Sequence, residues 1–456
     1  MDIEDIKNLF TERKINKVKV SGFDIDGILR GKYISLDKFF SAAEGGFGFC
    51  DVVFGWDSSD VLYDKSVITG WHTGYPDALA KIDLSTLRIV PWEPNTALFL
   101  VDFHKTDGSP LEVSPRQLLR NVIKKANEMG FQPFMSSEYE YFLFRETPHS
   151  LHEKGFKNLT PLAPGMFGYS ILRASTASEL IHKVIDGMRE YDVELEGFHT
   201  ETGPGAYETA IKYDNALRAA DKSALFKTGV KEIAARMEIV ATFMAKISPN
   251  LSGCGGHLHQ SLWDMEEKTN LFYDEADERK MSKIMKHYIA GQVETMPEFA
   301  VFSCPTVNSY KRIAPGTLAW APTNASWGIE NRTTGVRAIV GQSPKSTRIE
   351  YRLTGADANP YIAMAASLAA GLYGIENEIN PGEPFNQNAY VTSAGKFRPM
   401  PRSLEEAIEL LKQSNIARKY LGDEFVAHFI ITREWEVRQF RKAVTDWELQ
   451  RYFEII

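Results

Sequence analysis

The chain has 456 residues, enough at roughly 150 residues per domain for about three domains, or one large domain with a smaller one attached. Its apolar, aromatic and charged fractions of 43%, 12% and 25% are those of a globular protein and exclude a disordered, collagen-like or disulfide-framework chain. Lysine and arginine number 52 against 60 acidic residues, a net charge of −8 without any basic block, which argues against nucleic acid as a partner.

In chain order, MDIEDIKNLF is acidic and lacks the basic and apolar regions of a signal peptide, and no apolar run reaches the about 18 residues that a membrane span needs. Three scattered cysteines, Cys50, Cys254 and Cys304, suit a reducing compartment, so the expectation is a cytoplasmic protein with no membrane partner. KVKVSGFDIDGILRG predicts a hairpin turning at Asp26-Gly27, and TALFLVDF (96–103) predicts a buried strand, with a loop-rich stretch at 45–74 between them. The turn-rich segment KTDGSPLEVSP (105–115) then marks a boundary between a small β-rich unit, residues 1–110, and a large one, residues 111–456. Beyond it, SPRQLLRNVIKKANEMG predicts a helix with Ser114 as N-cap, Pro115 in the first turn and Gly130 as stop signal. Further helices are predicted over 176–191, 216–237, 278–295, 360–376, 403–413 and 423–449, alternating with strands.

Four of those segments carry chemistry. In FMSSEYEYFLF (134–144) side chains alternate faces, which puts Glu138 and Glu140 together; two such carboxylates repel, and both stay ionised only with a cation close by. In FHTETGPGAYETAI, Glu201 and Glu208 flank a Gly-Pro-Gly turn, with Glu196 and His199 just upstream. GCGGHLHQSL places His257 and His259 on one strand face, and STRIEYRLTGADANPY aligns Arg348, Glu350 and Arg352. Taken singly, each could be a solvated strand face or a plain ion network. Together, five glutamates and a histidine without cysteine suit Mg²⁺ or Mn²⁺. The arginines beside them, Arg312, Arg332, Arg337, Arg348 and Arg352, suit phosphate and carboxylate groups, and the combination points to phosphoryl transfer. No GxxxxGK[ST] loop or protein-kinase signature occurs.

The set SEYE, HTETGPGAYE, GCGGHLHQSL, NSYKRIAPG, NRTTGVR and RIEYRLTGADANPY, in this order over most of the chain, resembles the glutamine synthetase superfamily of type I character. The resemblance implies an α+β fold: a small N-terminal β-grasp domain and a large C-terminal catalytic domain with an antiparallel sheet flanked by helices. It implies ATP as a substrate and two or more Mg²⁺ or Mn²⁺ ions per subunit. Position by position, Glu140, Glu201 and Glu208 resemble ligands of the metal beside the substrate glutamate, and Glu138, His257 and Glu350 ligands of the metal on the ATP phosphates. Glu196, His199, Tyr213, His259, Ser261, Lys345 and Arg348 match nucleotide-binding positions. Arg332 and Arg337 match the arginines on the transferred phosphate. Arg312 and Arg352, with Glu140, Ser252 and Gly253, match those that hold the acid substrate.

Three departures carry the functional expectation. The flap glutamate that deprotonates ammonium in glutamine synthetases is replaced at PGTLAWAP by Leu318 or a near neighbour. The ammonium-binding Asp-Ser motif is echoed only by Trp56-Asp57-Ser58-Ser59, with Asp57 the catalytic candidate. Ser252 stands where the family's substrate-binding Asn belongs. With Trp320 and Trp327 near the flap, these losses resemble the glutamate–amine ligases, such as the γ-glutamylpolyamine and γ-glutamylmethylamide synthetases, and lengsin. The expected function is an ATP-dependent ligase joining glutamate to an amine through γ-glutamyl phosphate; the alternatives are a glutamine synthetase using ammonia and a catalytically silent, lengsin-like protein. The family also implies a homo-oligomer, a dodecamer of two hexameric rings, in which Asp57 acts in a neighbouring subunit's site. Tyr390 falls near a tyrosine that some bacterial relatives adenylylate, and the residues around it read as an ordinary loop.

Overall fold

The computed structural model describes residues 2–314, 320–341, 343–391 and 395–456. Two sheets organise them. In the first, β1 (Lys17–Phe23), β2 (Leu29–Ile34), β3 (Phe47–Cys50), β4 (Asp77–Ile89) and β5 (Thr96–His104) lie in the order β2-β1-β5-β4-β3. β1 and β2 form the expected hairpin, and β1 runs parallel to β5 while the other pairs are antiparallel. β5 reads as a near-continuous apolar run because it is central and covered: Phe99 stacks on Phe39 at 4.7 Å and packs edge-on against Phe10 at 6.3 Å. Those rings come from helices Leu36–Gly45 and Ile3–Glu12, which the β-rich reading of this stretch had not anticipated. Their start signals are present, since Ser35 caps the first and Asp2 closes a capping box with Asp5 on the second.

The second sheet is built around β6 (Gln132–Phe144), with β7 (Leu195–Thr200), β8 (Ala206–Ile211), β9 (Asp214–Asn215), β10 (Val240–Thr242), β11 (Gly256–Trp263), β12 (Trp327–Ile329), β13 (Val336–Ile339) and β14 (Arg348–Tyr351). Its main path is β12-β13-β14-β11-β6-β8-β7, with β9 and β10 also pairing β6. All pairs are antiparallel except β12 with β13.

Helices Ala216–Ala235, Lys283–Ser303 and Pro360–Glu376 supply much of the buried apolar surface behind this sheet. The middle one starts later than its pattern suggests, at the Ser282 cap, and runs on through Pro297 because Met296, Phe299 and Val301 are all buried. The C-terminal helix stops at Lys442; Ala443 is extended, and a capping box of Thr445 with Glu448 starts a separate helix, Asp446–Tyr452. Helices Lys283–Ser303 and Pro360–Glu376 touch closely at Gly371, where a Cβ would lie 2.0 Å from the Tyr288 ring. The Tyr288 hydroxyl in turn donates to Gln260 of β11 at 2.7 Å, and Gln292 and Ser367 complete that buried network.

One buried cation joins the two sheets' surroundings. Arg116, in helix Pro115–Glu128, bonds Asp221 at 2.9 Å through Nε and Nη2, Asp102 of β5 at 2.8 Å and Asp83 of β4 at 2.9 Å. The Tyr361 hydroxyl donates to the same Asp221 at 2.6 Å. Removing the guanidinium takes the buried Asp221 away from its cation, while Arg120 still pairs Asp83 at 2.8 Å and Asp102 at 3.0 Å, so Arg116→Ala is expected to lose about 3 kcal/mol of stability in urea unfolding. A loss under ~1 kcal/mol would mean that these carboxylates find other cations or water.

Candidate active site

Strand pairing assembles the charged residues into one field. Across the β6–β8 ladder Glu140 lies opposite Glu208, and Glu208 lies opposite His199 on β7. Across β6–β11 Glu138 lies opposite His257, while His259 lies opposite Glu350 on β14 and Glu350 opposite Arg337 on β13. Cross-strand partners share a face, so six strands present one surface of carboxylates, imidazoles and guanidiniums.

Two groups of donors converge there. Glu138, His259 and Glu350 bring ligand atoms within 4.8 Å of one another, and so do His199, Glu201 and Glu208. His257 Nδ1 belongs to the first group by distance, 3.3 Å from Glu350 and 3.8 Å from Glu138. His259 Nε2 is 3.6 Å from Glu138. Both of these nitrogens are buried and make no hydrogen bond among the described residues, which leaves aligned donor atoms facing carboxylate oxygens across a gap that suits a divalent cation. Glu350 is further held by Arg352 and, at 3.1 Å, by Arg337. Burial favours the neutral form of Glu350, but Arg352 and the two imidazoles outweigh it and bring its carboxyl down to about 2. For Glu138, His257 and His259 likewise overcome burial and hold the carboxyl well below the usual range.

The second group behaves oppositely. Burial raises the Glu208 carboxyl, and Glu138 and Glu140 raise it further against the hydrogen bond from His199, 3.1 Å away. Burial alone would lower the His199 imidazole, yet the bond to Glu208 raises it. The pair therefore retains a proton around neutrality that a bound cation has to displace. Glu140 is positioned by the Gly255 N–H, which donates to it at 2.7 Å.

Two cavities open on this field. One, of about 430 Å³, is lined among others by Glu138, Glu196, Tyr213, His259, Ser261, Lys345 and Arg348. The other, of about 380 Å³, is lined by Glu140, Glu201, Ser252, Gly253, His257 and Arg312 together with Met166, Trp320, Asn388 and Tyr390. Gly253 makes room for Arg312, since a Cβ there would lie 2.5 Å from the arginine's Cγ. Most of the residues matched to nucleotide, all but His199, thus line the first space, and most of those matched to the acid substrate, all but Arg352, line the second, with Glu138 and His259 facing the one and Glu140, Glu201 and His257 the other.

A model of the glutamine synthetase catalytic domain matches residues 112–452. The chain belongs to the glutamine synthetase family. Type-1 glutamine synthetase 2 of Dictyostelium discoideum is 50% identical over 100% of this chain and 87% of its own length. Glutamate–isopropylamine ligase of a Pseudomonas species is 40% identical over 99% of this chain and 98% of its own. The solved GmaS/ADP complex superposes with a TM-score of 0.86 at 27% identity, covering 98% of this chain and 99% of that one. As a family member the protein is an ATP-dependent carbon–nitrogen ligase, of the glutamate–amine or glutamate–ammonia type, and this family works with ATP and divalent metal ions.

Several further residues take the following places. His199, grouped with the nucleotide positions, sits with Glu201 and Glu208. Arg332 is exposed on the loop between β12 and β13, where its charge reaches Tyr169. Trp327 is buried, donating to Pro381 O at 2.9 Å, whereas Trp320 lines the 380 Å³ cavity. Asp57 is engaged within its own subunit, accepting from the Trp435 indole at 2.8 Å and from the Ser59 and Val61 N–H groups. Arg337, besides Glu350, also pairs with Glu330. Leu318 lies outside the described residues. Tyr390 is no ordinary loop residue, because it lines the substrate-side cavity; Met166, Asn388 and Tyr390 come from irregular segments whose spacing carries no periodic signal.

These charges set a metal-binding expectation. Mn²⁺ titrated calorimetrically at pH 7, in buffers of different ionisation enthalpy, should release on the order of one proton as Glu208 and His199 lose theirs, with affinity rising toward alkaline pH. Glu140→Ala should weaken one of the two binding events by at least ~10-fold and cut turnover by orders of magnitude. Unchanged Mn²⁺ binding in that variant would remove Glu140 from the ligand set.

Proposed function

We propose that the protein joins glutamate to an organic amine, using ATP to make γ-glutamyl phosphate, which the amine then attacks with release of phosphate. The observation that carries this reading is the wall of the 380 Å³ cavity, where Trp320 and Met166 stand beside Glu140 and Arg312. At ~25 cal/mol per Å², burying ~60 Å² of an alkyl group there favours an organic amine by about 1.5 kcal/mol, roughly tenfold. Ammonium gains nothing from such a wall and loses hydration at it. The 40% identity to glutamate–isopropylamine ligase supports the same reading.

In this reading Glu140, Glu201 and Glu208 hold the metal beside the acid substrate, and Glu138, His257 and Glu350 hold the one on the nucleotide. Glu196, Tyr213, His259, Ser261, Lys345 and Arg348 line the nucleotide space, Arg312 and Arg352 hold carboxylates, and Arg332 and Arg337 meet the transferred phosphate. Residues 1–110 form the N-terminal domain and residues 111–456 the catalytic one. A silent, lengsin-like role fits poorly, because keeping so many buried charges is costly without ions and anions to balance them. The second reading, a glutamine synthetase proper, is favoured by the 50% identity to the Dictyostelium protein.

Phosphate release with ATP, Mg²⁺ and glutamate against ammonia, methylamine, isopropylamine, ethanolamine, aniline and polyamines separates the two. The best organic amine should exceed ammonia in kcat/KM at pH 7 by about tenfold. Leu318→Glu, restoring an acid to the flap, should shift that ratio toward ammonia. Ammonia ahead of every amine in the unmodified protein overturns the amine reading.

The assembly proposed is a cytoplasmic dodecamer of two stacked hexameric rings, with Asp57 delivered to a neighbour's site by a head-to-tail contact that closes each ring. Light scattering should give the corresponding mass; a fully active monomer would refute it.

A further inference from the structure

Tyr390 offers a hydroxyl that none of the described residues uses. The oxygen is buried and has no hydrogen-bond partner among the described residues, although the ring lines the cavity shared with Glu140, Ser252 and Arg312. Its position is fixed from behind. The Tyr390 N–H donates to Asn388 Oδ1 at 2.9 Å, the Ala389 N–H to Thr333 Oγ1 at 2.9 Å, and the Asn324 side chain to Ala389 O at 3.0 Å. Asn331 bonds Gln387 O at 2.9 Å, so residues 387–390 are stapled to the loop between β12 and β13.

The chemistry of the neighbours selects the missing partner. Burial raises the phenol above its ordinary value, against the pull of the Arg352 and Arg312 charges, so it keeps its proton at neutral pH. A guanidinium carries donors only and cannot accept that proton. The group that completes the hydroxyl is therefore an acceptor, and an acceptor within the field of two guanidiniums is best an anion.

We propose that Tyr390 is a substrate-binding residue whose hydroxyl donates a hydrogen bond to a carboxylate oxygen of the acid substrate, beside Arg312 and Arg352. It acts on selection of the acid, while Trp320 acts on selection of the amine. This rests on the ligase reading above but not on which nitrogen acceptor is used.

Tyr390→Phe removes the hydroxyl alone. With ATP, Mg²⁺ and the best acceptor, KM for glutamate should rise about 10- to 100-fold, the range for a hydrogen bond to a charged group, while KM for the acceptor stays within about twofold. Calorimetric titration of glutamate in the presence of Mg²⁺ and a non-hydrolysable ATP analogue should show the same loss without any acceptor present. Trp320→Ala should do the reverse, raising KM for an alkylamine with that for glutamate unchanged. An unchanged glutamate KM and affinity in a Tyr390→Phe protein of unaltered melting temperature overturns the proposal, as does a rise in acceptor KM alone. If ammonia proves the better acceptor, the amine reading fails, yet the glutamate titration still decides the role of Tyr390.

Discussion

Mutual repulsion of carboxylates on one sheet face is the constraint around which the rest of the molecule is arranged. Glu138, Glu140, Glu208 and Glu350 cannot all be ionised on adjacent strands without positive charge among them. The fold supplies part of it as His257, His259, Arg337 and Arg352, and keeps Glu138 and Glu350 charged. It withholds it around Glu208, whose neighbours are Glu138, Glu140 and a single imidazole. The asymmetry makes one half of the floor ready for a cation and the other half dependent on exchanging a proton for one.

Such a floor needs support from below. β11 carries His257 and His259 on its upper face and buries Gln260 beneath, where Tyr288, Gln292 and Ser367 meet it. The contact at Gly371 sets how closely those two helices approach, and so how the imidazoles are presented. Arg116 performs a similar service at longer range, fixing β4 and β5 to the helices that back the second sheet.

The sequence made the strand-borne chemistry legible because alternation is a strict rule: ExE, HxH and RxExR each put their charged members on one face, and pairing register then had few options. The helices after residue 114 were legible from periodicity and caps, with errors where burial carried one through Pro297 and where a capping box divided another at residues 443–445. The two N-terminal helices carry cap signals, at Asp2 and Ser35, but each is followed by a strongly alternating strand segment that masked it. Trp327 and Tyr390 were misjudged for a different reason. Their surroundings are made by distant loops, and no local pattern distinguishes a tryptophan that donates to Pro381 from one, Trp320, that faces a cavity.

The residues that face the substrate-side cavity divide by the kind of backbone that carries them. Charged groups such as Glu140 and His257 sit on paired strands, where a shift of one disturbs its neighbours, whereas Met166, Trp320 and Tyr390 sit on irregular segments. An evolving lineage can therefore exchange the latter for other side chains, and try new nitrogen compounds, without retuning phosphoryl transfer each time. Diversification within this scaffold is modular: one inherited engine, with interchangeable fittings at its mouth.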